Sequence, residues 1–84
     1  MKAGMRRYRE LVVGTWWAED SGPNGSWVLS FCDRDGHQDR FDAYPTFESA
    51  AAAVGNGQTA QRWWDDIRGR IPASFDPKFW GQAD

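Results

Sequence analysis

"WVLSFCDRDGHQDRFDAY", residues 27–44, decides how this chain folds. Trp27, Leu29 and Phe31 alternate with Val28, Ser30 and Cys32, the two-residue period of a strand with one face on a core. Asp33-Arg34-Asp35-Gly36 follows, and an Asp-Gly pair between two such runs signals a hairpin turn. In residues 37–44, Phe41 and Ala43 read as inward, and Arg40, Asp42 and Tyr44 as outward. The stretch is therefore one antiparallel hairpin.

Upstream, "ELVVGTWWAED" (residues 10–20) is rich in Val, Thr and Trp and reads as a further strand. Leu11, Val13, Thr15 and Trp17 share one face, and Val12, Gly14, Trp16 and Ala18 the other. Apolar residues on both faces suit a central strand, while Gly14 hints at a bulge or a close backbone approach. "SGPNGS" (21–26) supplies the intervening turn. Downstream, Thr46 can cap a helix that carries Glu48 in its first turn and Phe47, Ala50, Ala51 and Val54 on one face. Gly55 and Gly57 break or kink it. A second helix is expected over 59–70, with Ala60, Trp63, Trp64, Ile67 and Ile71 in one stripe and Pro72 as its stop. The expected fold is α+β: a three-stranded antiparallel meander over 10–44, with one kinked or two consecutive helices over 46–71 packed on one face. Residues 1–9 read as a basic flexible arm and 72–84 as an aromatic tail.

Eighty-four residues make one domain, too small for a second core. Six Trp, five Phe and two Tyr exceed what such a core can hide, so some rings should reach the surface, where Trp and Tyr anchor interfaces. Cys32 is the only cysteine, which leaves no internal disulfide. No apolar run approaches the roughly 18 residues of a membrane span. The expectation is a soluble cytoplasmic protein without a cofactor.

Charge is unevenly spread. Residues 1–10 carry +3, residues 11–59 carry −5, and residues 60–84 are balanced. An acidic block behind a basic arm suits a basic partner better than a nucleic acid, whose binders carry their bases on the folded surface.

Five readings compete for the charged residues. A calcium loop needs one more ligand before its glycine than Asp33-Arg34-Asp35-Gly36 offers. Zinc would need Asp35 or Asp39 to join Cys32 and His37, and no metal is expected. A Cys32–His37 catalytic pair is disfavoured because neighbouring carboxylates raise a thiol pKa, so no enzyme is expected. A nucleic-acid module could instead use Arg6, Arg7 and Arg9 with sheet aromatics as stacking platforms. The favoured reading is an interaction surface. Asp33, Asp35, Asp39 and Asp42, joined by Glu19 and Asp20, would steer a basic target, and Trp16, Tyr44 and Trp80 would anchor it.

Thr46 with Ala50 four residues on, then Trp63 and Ile71-Pro72, give a spacing that resembles the HicB antitoxin domain, a partial RNase H-like sheet with a helix. Ser49 stands where that family carries Glu, and Gly55 and Gly57 interrupt the helix. The resemblance implies that the chain masks a basic RNase toxin. The overall profile is also similar to small phage inhibitors of the anti-CRISPR kind. Either way the expected function is a non-enzymatic inhibitor. Its partner would be a basic protein, a nucleic-acid-binding protein or nuclease, with homodimer formation left open.

Overall fold

The computed structural model describes residues 4–83; Lys2 of the expected arm and the terminal Asp84 lie outside them. Five strands form one antiparallel sheet: β1 (Arg6–Leu11), β2 (Gly14–Glu19), β3 (Trp27–Asp33), β4 (Gln38–Tyr44) and β5 (Gly81–Ala83), in the order β4-β3-β2-β1-β5. Two helices, α1 (Phe47–Gly55) and α2 (Arg62–Ile67), pack on one face. The class is α+β as the pattern implies, but the sheet has five strands rather than three. Among the described residues no helix is long and apolar enough to cross a membrane.

The two added strands come from the segments expected to be irregular. Residues 10–20 do not form one strand. A two-residue turn at Val12-Val13 folds them back, and Leu11 pairs with Gly14. The turn needs glycine at its exit: Gly14 has φ +150°, and a Cβ there would strike the Cys32 carbonyl and the Phe31 ring. Arg6–Arg9 of the supposed basic arm thereby enter β1, which pairs to β2 along its whole length, and Gly81–Ala83 adds beside it.

An arginine-rich strand is stable here because its side chains alternate. Arg7 and Arg9 lie on the helix-bearing face, opposite Ala18 and Trp16. Arg7 donates to the carbonyls of Pro77, Trp80 and Gly81 and lays its guanidinium 4.4 Å from the Phe47 ring centroid. Arg9 donates to Ser74. Arg68, just beyond α2, holds the Gly55, Ile71 and Ala73 carbonyls and covers Phe75 at 4.5 Å. Three guanidinium groups thus fasten the tail across the core by charge-assisted hydrogen bonds to its backbone carbonyls.

The helices follow their punctuation. Thr46 and Ser49 form a reciprocal capping box, each side chain accepting from the other's backbone amide, so Ser49 does the work of the usual acidic residue. Gly57 at φ +65° ends α1, so the helical region is two helices. Helix α2 starts later than expected because the Asp65 carboxylate accepts from the amide and hydroxyl of buried Thr59, while Ala60 turns at φ +66°.

The core lies between the sheet and both helices. Fully buried Trp16 meets Phe31, Phe41, Trp63 and Trp64 with ring centroids 5.0–6.2 Å apart. Trp64 donates its indole N–H to the Val54 carbonyl at 2.9 Å, at the end of α1. A β-bulge opposite Val28–Ser30 inverts the expected faces at the end of β4. Tyr44 consequently packs on the core beside Trp27, and Ala43 is exposed.

Arg7→Met, which keeps an apolar stem but removes three charge-assisted hydrogen bonds, is expected to cost about 2 kcal/mol of stability. Urea denaturation measures this, with faster amide exchange over residues 77–83 as the local sign. Unchanged stability would show that the tail is held by apolar packing alone.

Candidate functional site

A meander alternates its turns between two ends of the sheet, and this divides the six expected acidic residues. Asp33, Asp35 and Asp39 flank the β3–β4 turn, next to the Val12-Val13 tip. Glu19 and Asp20 lie at the opposite end, where the protein itself uses them. Glu19 pairs with Arg6 at 3.7 Å, and Asp20 accepts from the Met5 amide at 2.7 Å. Asp42 is exposed far along β4. No single acidic surface unites all six.

Two of the three expected anchors are not at the surface either. Trp16 is the centre of the core. Trp80 is buried against Phe47 and donates to the Phe75 carbonyl, and Tyr44 is half-buried. Burial, with the Asp42 and Asp65 carboxylates nearby, raises the Tyr44 pKa and keeps its phenol protonated. Arg7 and Arg9 are committed to the tail, while Arg6 sits over Trp17 on the opposite, outer face of the sheet at 4.5 Å.

The exposed apolar groups are others: Val12 (84 % exposed), Val13 (41 %), Trp63 (41 %) and Phe79. Three of these four gather at the hairpin end. Val13, Phe31, Trp63 and Ile67 line a cleft of about 360 Å³ whose remaining walls are Asp33, His37 and Asp39. On the other side of the same tip, Leu11, Val12, Ile71, Pro72 and Ala73 extend the apolar surface. Trp63 is rigidly supported, parallel to Trp16 (interplanar angle 1°) and edge-on to Phe31 at 4.9 Å. Asp39 lies opposite Phe31 in the strand pairing, on the same face.

The carboxylates differ in availability. Asp33 closes its own turn: Oδ1 accepts from the amides of Asp35 and His37 at 2.9 Å, and Oδ2 lies 3.3 Å from His37 Nδ1. Desolvation pushes its pKa up, but the His37 and Asp35 amides, aided by the imidazole, outweigh this and leave the carboxyl below its ordinary value. Although Asp33, Asp35 and His37 could approach one ion, the Asp33 oxygens already serve the loop. Cys32 faces the outer side with Thr15, whereas His37 lines the cleft, so thiol and imidazole are not brought together. Asp39 makes no ion pair or side-chain hydrogen bond among the described residues, and the arginine of the turn, Arg34, donates to the Val12 carbonyl at 3.1 Å.

The residues that the pattern did not single out are Val12, Val13 and Trp63. Gly14 was the available signal for the first two, and nothing in the period separates exposed Trp63 from buried Trp64. Comparison with protein-family models, with curated proteins and with solved structures finds no match to this chain.

A carboxyl with a depressed native pKa stabilises above its unfolded-state value, and that contribution fades as pH falls through the depressed one. The Asp35 and His37 amide resonances should therefore titrate with an inflection below the ordinary Asp range, and the turn should loosen only under more acid conditions. An NMR pH series checks this; an inflection at or above that range would mean the Asp33 bonds are not persistent.

Proposed function

We propose that this protein is a non-catalytic binding protein that docks its hairpin end on the basic, nucleic-acid-binding surface of a target protein and blocks it. The observation that carries this reading is the cleft itself: a rigid, exposed tryptophan beside an unpaired aspartate, with no Lys or Arg among the residues that line it. A supported aromatic loses little conformational entropy on binding, so its burial counts almost fully toward affinity. The neighbouring negative charge favours a basic patch and steers encounter. Antitoxin-like and anti-CRISPR-like inhibition are both forms of this action.

A second reading is favoured by the outer face, where Tyr8 packs on Trp17 at 5.3 Å beneath Arg6, a platform on which a base could stack. Glu10 and Glu19 occupy the same face and repel phosphate.

The test is capture of the target from host extract, followed by measurement of that target's nucleic-acid binding as this protein is added. Competition is expected, weakened about tenfold or more by Trp63→Ala, and slower in association with a smaller salt dependence for Asp39→Lys. A target whose nucleic-acid binding is unaffected, or both variants behaving as wild type, would contradict the proposal. Direct retardation of a labelled single strand that is lost in Trp17→Ala would favour the outer face instead.

A further inference from the structure

One arginine of this chain shows how a ring and a carboxylate together hold a guanidinium. On the outer face Arg6 lies between an aromatic ring and a carboxylate: its Cζ is 4.5 Å from the Trp17 centroid and its Nε 3.7 Å from Glu19 Oε2. Phe47, Phe75 and Phe79 likewise carry a cation from this chain: Arg7, Arg9 with Arg68, and Lys78. Trp63 does not. Among the described residues no Lys or Arg covers its ring, although it is the ring with Asp39 beside it in a shared cleft. Arg34 is turned to the Val12 carbonyl, and neighbouring Arg62 is exposed and does not line the cleft.

We infer that the Trp63–Asp39 cleft is a receptor for one arginine side chain of the partner. This rests on the proposed docking function and names its recognition element. The aliphatic stem would lie along Val13 and Ile67, the guanidinium plane over Trp63, and its N–H groups on the Asp39 carboxylate. A planar, weakly hydrated guanidinium stacks on an aromatic face and forks onto a carboxylate, whereas an ammonium retains its water and does not stack. Arginine should therefore be preferred over lysine. The neutral isostere citrulline should fail, because it keeps the shape and loses the charge.

The experiment titrates the full chain with three acetylated, amidated tripeptides, Gly-Arg-Gly, Gly-Lys-Gly and Gly-citrulline-Gly, followed by indole and backbone N–H resonances. The arginine peptide is expected to give a saturable shift of the Trp63 indole and the Asp39 amide, weaker for lysine and absent for citrulline. Asp39→Asn should lower that affinity about fivefold, as should Trp63→Ala. Because Trp63 also stacks on the core, exposed Asp39 provides the variant free of folding effects. Equal responses to arginine and citrulline, or shifts confined to Trp17, would overturn the inference. Lack of any saturable shift while Asp39→Lys still weakens target binding would overturn the arginine site and leave the docking surface standing. Saturable arginine binding with target binding indifferent to Trp63→Ala would uphold the arginine site and overturn the docking role.

Discussion

The packing of Trp16 is the contact on which everything else in this molecule depends. Its indole stands at the middle of the central strand and touches β3, β4 and both tryptophans of α2, so one side chain joins the sheet to the helical layer. Burying a ring of this size is worth about 4–6 kcal/mol. Its Nε1 finds no acceptor among the described residues, a cost of about 1–3 kcal/mol that the burial exceeds. The same packing sets the surface. Trp63 lies parallel to Trp16, so the exposed face of the cleft is positioned by the core.

A small core must also be closed at its edges, and here arginine does the closing. Arg7, Arg9 and Arg68 hold carbonyls along the tail and cover apolar rings with their guanidinium planes. This is why β1 and β5 were hidden in the sequence. Arg6-Arg7-Tyr8-Arg9 reads as a solvated basic arm when residues are judged by polarity, because period and composition do not show that alternate arginines turn inward to bond backbone. Strands β2 and β3 were legible because their inward residues are largely apolar, and β4 because the Asp-Gly turn before it announces a returning strand. The end of β4 was misread for another reason: one bulged residue exchanges the faces of everything beyond it, leaving Tyr44 inward and Ala43 outward.

The candidate site was half legible. Asp33, Asp35 and Asp39 sit at the turn that Asp-Gly announces, and local sequence places them together. Glu19 and Asp20 required the chain path, which carries them to the far end. Trp63 required the helix phase against the sheet: neighbouring residues on a helix diverge by about 100°, so one tryptophan enters the core and the next remains at its rim. Val-Val in a two-residue turn contradicts ordinary turn chemistry, and its exposed methyl groups are what a binding surface, rather than stability, would retain.

A domain of this size carries more rings than it can enclose, its own arginines cover several of the rest, and the hairpin end keeps one tryptophan uncovered beside an unpaired carboxylate. Hydrogen–deuterium exchange of this protein with and without its captured target tests that most directly. Protection concentrated at Leu11–Gly14, Asp33–Asp39 and Trp63–Ile67 is the predicted result; protection at Arg6–Arg9 and Thr15–Glu19, with the hairpin end exchanging freely, would contradict it.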